Sequence, residues 1–284
     1  MNVAIIGMCN EAMILAKIIK NSAYCHNADA DRLKISGVIC KNATQTTNMA
    51  IELNIKAYLT LNDAIKDADI LFVAQPDSTL AYFSEVLKGN CVRNKILCHF
   101  SRKYDSDILS CGTTNSCYSV VLPYLSRYTM RSDHYMNNIV VFEGYGKRHD
   151  EFEKAAENTL EKITFCNKHN HRMCMMSSRM INEYLKAVIL TAKQIAKFAN
   201  TYDENIFKSY IINTVSEACN ADTLTYDKDA DEIKKNMRVL SALNYSDTKD
   251  FVRNMELHLA LNSEIDTDEK DEILRVLKYK PGRN

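Results

Sequence analysis

Residues 2–12 read NVAIIGMCNEA. The first six, NVAIIG, form a continuous apolar run with β-branched residues that stops at Gly7, the pattern of a short strand buried on both faces. Ala12, Ile14, Leu15, Ala16, Ile18 and Ile19 follow at helical spacing, with Ile14/Ile18 and Leu15/Ile19 four apart. A buried strand, a glycine turn and an amphipathic helix make the first half of a parallel crossover.

The same alternation continues outward. Strands are predicted at Ile35–Cys40, around Ala57–Leu59, at Ile70–Ala74 and at Lys95–His99. Helices are predicted at Thr46–Leu53, from Thr60 or Asn62, and through Lys88 with Ser78 as its cap. Strands alternating with helices imply right-handed βαβ units and a parallel sheet. YSVVL (118–122) and NIVVF (138–142) add two strands, and a helix at His149–Ile163 closes this part. After residue 172 the pattern becomes helical. Met173–Asn200 contains neither proline nor glycine, and Met173, Met175 and Met176 read as core packing at its start. Further helices are expected at 203–219, 229–243, 248–262 and 267–278. The polar segment 220–232 serves as a connector, and the acidic run 267–272 caps the last helix with a solvated face. The expected fold is α/β: a mostly parallel sheet over 1–168, followed by an all-α region over 169–284 for dimerisation and substrate binding.

Composition narrows the functional classes. Lys+Arg and Asp+Glu balance at 36 each, so no net field draws in nucleic acid or an anionic membrane. No apolar run approaches the roughly 18 residues that span a bilayer, and no signal peptide is evident. Ten cysteines without a CxxC pair fit reduced thiols, several of them core residues, and with them a cytoplasmic location. Glycine is scarce at seven residues, against a typical usage of roughly 7%.

That scarcity bears on the first turn. A dinucleotide fingerprint, G-x-G-x-x-G/A, uses its first glycine for the turn, its second for close approach of the pyrophosphate, and its third position for helix–strand packing. Here the stretch is Gly7-Met8-Cys9-Asn10-Glu11-Ala12. Gly7 and Ala12 fit. Cys9 takes the place of the middle glycine, where a side chain crowds the pyrophosphate, and Glu11 suits the helix dipole but repels phosphate. After the second strand, Cys40-Lys41-Asn42 holds no carboxylate for a ribose 2′-hydroxyl. A cation there points to NADP over NAD, with Gly7, Met8, Cys9, Asn10, Lys41, Asn42, Gln75 and Pro76 as the cofactor-side residues.

The order of these residues resembles the Rossmann-like family that carries a C-terminal helical domain of unknown function, distantly related to pyrroline-5-carboxylate reductases and to 6-phosphogluconate dehydrogenase-like proteins. The resemblance runs over roughly residues 2–200. It is carried by Val3–Gly7, Gln75-Pro76-Asp77, Cys98-His99-Phe100-Ser101, Pro123, Glu143-Gly144 and Asn182. The chain departs from the family where Leu122-Pro123 replaces His-Pro, where Phe100-Ser101-Arg102 follows His99, and where Met173-Cys174 aligns with Tyr-His. The resemblance implies a nucleotide-binding fold and an NADP-dependent reductase activity.

In an open α/β sheet, ligands lie beyond the carboxyl ends of the strands. His99 there can donate a proton to a carbonyl or imine, with Ser101 orienting the substrate; the alternative is a buried histidine bonded to backbone. Asn182 and Lys186, four apart, share a helix face where the amide can hold a substrate oxygen and the ammonium can act as acid and attract an anion. The run Cys166-x2-His169-x-His171-x2-Cys174 holds zinc-competent groups, but its spacing matches no usual site and no metal is expected. Together these readings give an oxidoreductase that uses NADP to reduce a C=O or C=N bond of a small anionic metabolite, as a homodimer packed through the apolar stretch Ala187–Ile195. The alternative is a non-catalytic dimer of the same fold that binds a metabolite or protein and whose cofactor site has decayed.

Overall fold

The computed structural model describes residues 1–22, 31–90, 92–110, 115–123, 139–220, 230–242, 246–262 and 267–277. They fall into two compact units, Met1–Tyr184 and Leu185–Asn284.

The first unit is built on β1 (Asn2–Gly7), α1 (Asn10–Ser22), β2 (Lys34–Ile39), α2 (Ala43–Leu53), β3 (Lys56–Ala57), α3 (Leu61–Asp67), β4 (Ile70–Ala74), α4 (Asp77–Gly89) and β5 (Ile96–His99). After a 3₁₀ turn at Ser106–Leu109 come β6 (Ser116–Val121), β7 (Val140–Tyr145), α5 (His149–Glu157), β8 (Ile163–Cys166) and α6 (Lys168–Arg179). The eight strands form one sheet in the order β3-β2-β1-β4-β5-β6-β7-β8. Pairing is parallel through β6, β7 joins antiparallel to β6, and β8 runs parallel to β7. The expected class, a mostly parallel Rossmann-type sheet followed by helices, is what the chain adopts.

Apolar side chains cover both faces of the sheet. Ile14, Leu15 and Ile18 of α1, Met49 and Leu53 of α2 and Phe152 of α5 pack on one face with Val3, Ile5, Phe72 and Tyr118. Ala64 of α3, Leu80 and Leu87 of α4 and Leu109 pack on the other with Ile6, Leu71, Val73 and Leu97. This accounts for the near-continuous apolar runs: alternate residues of each strand meet helices on opposite sides. Of the two candidate helix starts, Thr60 and Asn62, it is Thr60 that leads α3, forming a capping box with Asp63. Ser78 does not cap α4. The chain enters that helix at Asp77 directly after Pro76, so Ser78 already lies inside it, and the N-cap makes no side-chain bond.

Two further expectations change. The predicted helix His149–Ile163 stops at Glu157, and Ile163–Cys166 becomes β8, in register with Val140–Glu143. Thr159 ends the helical run by accepting the N–H of Leu33, 2.9 Å away, while donating to Ala155. ITFC is too short to show a strand period, and its pairing with β7 decides its form. The long helix begins at Lys168 rather than Met173, capped by Asn167, whose side chain accepts the N–H of Asn170. Met173 and Met176 are half-exposed rather than buried.

A π-helical turn, Met180–Tyr184, ends the first unit, and α7 (Leu185–Phe198) opens the second. The second unit continues with α8 (Glu204–Asn220), α9 (Ala230–Ala242), α10 (Ser246–Asn262) and α11 (Thr267–Val276). Asn200, at φ 56°, stops the helical run in the left-handed conformation. Of the predicted connector 220–232, residues 221–229 lie outside the described set. Ala230, Ile233, Ala260, Ile273 and Leu277 form a small core. Neither α7 nor α8 buries a residue.

Candidate functional site

The sheet order reverses at β1, with β2 on one side and β4 on the other. The helix after β1 packs on one face and the helix after β4 on the opposite face, so the two connections part at their carboxyl ends, where open sheets of this kind form a ligand crevice. Gly7 forms its lip at φ +94°. A Cβ there would meet the carbonyl of Ala74 and stand 2.7 Å from Gln75 Nε2, so the position requires glycine both for its dihedral and for space. Gln75 closes the approach by donating its amide to the carbonyl of Ile6 at 3.4 Å. Pro76 starts the adjoining helix, and Met8 and Asn10 are exposed.

The Cys9 side chain lies over the first turn of α1, where the sequence expected it to crowd a pyrophosphate. Its sulfur turns back to accept the N–H of Ala12 at 3.4 Å, while its carbonyl accepts that of Met13 at 3.1 Å. The thiol packs against the core, and burial pushes its pKa up to about 12. One of the first free amides of α1, which a phosphate would use, is therefore already taken. Asn42 is likewise occupied. Its side-chain oxygen accepts the N–H of Gln45 at 2.8 Å and caps α2, so it is not free to hold a ribose. Lys41 beside it is exposed, and Cys40 donates its thiol to the carbonyl of Gly7 at 3.4 Å.

After β5 the chain folds on itself. His99 is fully buried; its Nδ1 accepts the N–H of Ser101 at 3.2 Å, and its Nε2 lies 3.1 Å from the carbonyl of Asp105, an arrangement that requires the Nε2–H tautomer. Burial lowers its pKa to about 4, against a smaller opposing effect of the Asp105 carbonyl. In this conformation neither nitrogen is left for a substrate, so His99 organises the loop instead of donating a proton. Ser101, also buried, accepts the N–H groups of Lys103 and Tyr104 and shapes the turn. Asp105 then pairs with Arg172 at 2.7 Å, and Asp107 pairs with Lys168, two clips between this loop and α6.

Asn182 is half-buried and donates to the hydroxyl of Ser178, 3.3 Å away, which in turn bonds the carbonyl of Pro123. It lies in the π-helical turn, where wider winding removes the α-helical rule that residues four apart share a face. Lys186 is exposed on α7, in the second unit. Among the described residues, no group of three or more His, Cys, Asp or Glu is placed to hold a metal ion, and His169 is exposed while His171 is buried.

The sequence reading missed a polar row within the sheet. His99, Ser119, Glu143 and Cys166 are successive register partners on β5, β6, β7 and β8. Glu143, 2% exposed, accepts the N–H of Ser106 at 2.8 Å and its hydroxyl at 3.0 Å. The hydroxyl of Ser119 and Nε2 of His171 are buried without a hydrogen-bond partner. The available signal was a serine and a glutamate inside otherwise apolar strands; strand pairing alone brings them together. Arg102 was also missed. It pairs with Glu11 of α1 at 3.7 Å.

No family profile matches the chain, and no curated protein matches it in sequence. Solved structures do. A Bacteroides fragilis protein, whose assignment as an NADP oxidoreductase is itself inferred, superposes with a TM-score of 0.61 at 15% identity, over 93% of this chain and 98% of that one. A variant imine reductase from Myxococcus stipitatus, solved with NAD⁺, gives 0.60 at 13% identity over 98% and 99%. A semialdehyde dehydrogenase NAD-binding protein from Cupriavidus necator gives 0.57 at 8% identity over 98% of each chain. At this level of identity the likeness establishes architecture: the chain has the Rossmann-type sheet and helical continuation of these proteins, over almost its whole length.

Proposed function

We propose that the chain is a nicotinamide-dependent oxidoreductase that prefers NADP and reduces a C=O or C=N bond of a small anionic metabolite. The observation that carries this reading is the crevice at the β1/β4 reversal, with the left-handed Gly7 at its lip. The imine reductase and oxidoreductase names of the structural neighbours support it, as does the NAD⁺ bound in one of them. Gly7, Met8, Cys9, Asn10, Gln75 and Pro76 would border the cofactor, and Lys41 would meet the 2′-phosphate that distinguishes NADP. When bound, the nicotinamide supplies a hydride. On this chain, His99 and Ser101 hold the loop that frames the substrate side, and Asn182 would hold a substrate oxygen. The relation to pyrroline-5-carboxylate reductases, the domain boundary at 168/169 and a cytoplasmic location belong to the same proposal. No described helix is long and apolar enough to cross a membrane.

A homodimer completes the reading. Leu190, Phe198, Ile206, Tyr210 and Ile212 on α7 and α8 are each more than half exposed, which is costly for helices left in water.

One observation favours the alternative, a metabolite- or protein-binding dimer with a decayed cofactor site: Cys9 consumes an amide that phosphate would use. Titration with NADPH and NADH, followed by nicotinamide fluorescence and thermal stabilisation, separates the two. Micromolar NADPH binding that weakens in Lys41→Glu supports the reductase. Absence of binding by either nucleotide at millimolar concentration favours the alternative.

A further inference from the structure

The loops after β1 and β5 flank the end of β4, and one ion pair joins them: Glu11 in the first turn of α1 and Arg102 three residues beyond His99. With β4 lying between β1 and β5 in the sheet, the pair passes the carboxyl end of β4. It is loose, at 3.7 Å, and both partners reach solvent, with 45% of the Arg102 side chain and 23% of that of Glu11 exposed. The turn beneath it lacks what a dinucleotide turn ordinarily offers. Cys9 takes the N–H of Ala12, and Glu11 places negative charge where phosphate has to come. Arg102, paired with Glu11, brings a cation to this spot that can reverse that balance.

The geometry points to Arg102 as a phosphate ligand held in reserve by Glu11: a diphosphate entering the crevice takes the guanidinium from Glu11 and pairs with it. This inference rests on the nucleotide-binding reading above and names the residue that makes binding possible despite Cys9. Relative strengths favour the exchange. An exposed ion pair biases an equilibrium by about fivefold at most, whereas a charge-assisted, fork-shaped contact of arginine with phosphate is worth roughly tenfold or more. The loop that carries Arg102 is already organised by His99 and Ser101, so little ordering remains when the partner changes.

The test is a fluorescence titration with NADPH, run on the full chain and on Glu11→Gln, Arg102→Gln and Arg102→Lys, with inorganic pyrophosphate as a competing probe. The inference expects Arg102→Gln to weaken NADPH about tenfold or more and to abolish the competition by pyrophosphate. Arg102→Lys should recover part of the loss, because it restores charge without the fork. Glu11→Gln should tighten NADPH about threefold. Wild-type binding with an unchanged constant in Arg102→Gln overturns the inference and leaves the nucleotide reading standing. Binding by Glu11→Gln but not by the wild type upholds the inference if adding Arg102→Gln to that variant abolishes the binding, and overturns it if the double variant still binds. Absence of binding in both the wild type and Glu11→Gln overturns the inference and the nucleotide reading together. Circular dichroism melts of the variants exclude loss of folding as the cause.

Discussion

The sulfur of Cys9 accepts the backbone N–H of Ala12 at 3.4 Å, inside the first turn of α1. This contact reconciles a bulky residue at the glycine position with an intact turn, since the side chain folds onto the helix it precedes. Burial holds the thiol up at about 12, so almost no thiolate exists at pH 8, and the nucleophile is the thiolate. Iodoacetamide on the native protein at pH 8 is therefore expected to label the exposed Cys219 and to leave Cys9 unmodified until the chain is denatured. Peptide mass spectrometry reads the outcome, and fast native labelling of Cys9 contradicts the geometry.

Replacing that thiol also bears on the cofactor. Cys9→Gly frees the Ala12 amide and is expected to tighten NADPH binding by several-fold, on the order of one hydrogen bond to a charged group. An equal or weaker constant by fluorescence titration shows that the amide does not reach the phosphate.

Gly7 allows no such exchange. Its φ of +94° and the crowding of the Ala74 carbonyl and the Gln75 amide act together against any side chain. Gly7→Ala is expected to cost about 1–3 kcal/mol from backbone strain alone, and the displaced loop should lose nucleotide binding as well. A melting temperature within a degree of the wild type would contradict this.

His99 makes stability depend on pH. Its pKa falls from the ordinary 6.5 to about 4 on folding, so between these values the unfolded chain binds the extra proton. The contribution is full above pH 6.5, declines as the pH falls, and is lost below about 4; burial of His171 lowers its pKa too and acts in the same direction. The full effect of His99 is up to about 3 kcal/mol. Urea melts from pH 4 to 7 should show a steep loss of stability on acidification that is shallower in His99→Gln. An identical slope in the variant assigns the loss to other groups.

Glu143 anchors the loop after β5 from below. Both of its oxygens accept hydrogen bonds from Ser106, and glutamine can offer only one acceptor in that buried place. Glu143→Gln is expected to destabilise the protein by about 1–3 kcal/mol, whereas Arg172→Ala, which removes an exposed clip to Asp105, should cost under about 1 kcal/mol. The reverse ranking in denaturant midpoints would place the anchor of the loop on α6 instead.

Local patterning determined much of this protein. The apolar runs of β1 and β4 and the spacing of α1 are short-range features, and each formed where the residues placed it. Gly7 was legible for the same reason, because a strand that must turn sharply into a helix needs the left-handed dihedral glycine tolerates. Only the tertiary structure decided what depends on partners distant in the chain. ITFC became β8 because β7 lay ready to pair with it. His99 lost its free nitrogens to a loop that closes over it, and Asn42 became a cap. The row His99–Ser119–Glu143–Cys166 and the bridge from Arg102 to Glu11 join residues scattered along the chain. Hydrophobic period and turn chemistry are properties of neighbours in sequence, whereas burial and hydrogen-bond partnership come only from the packed fold.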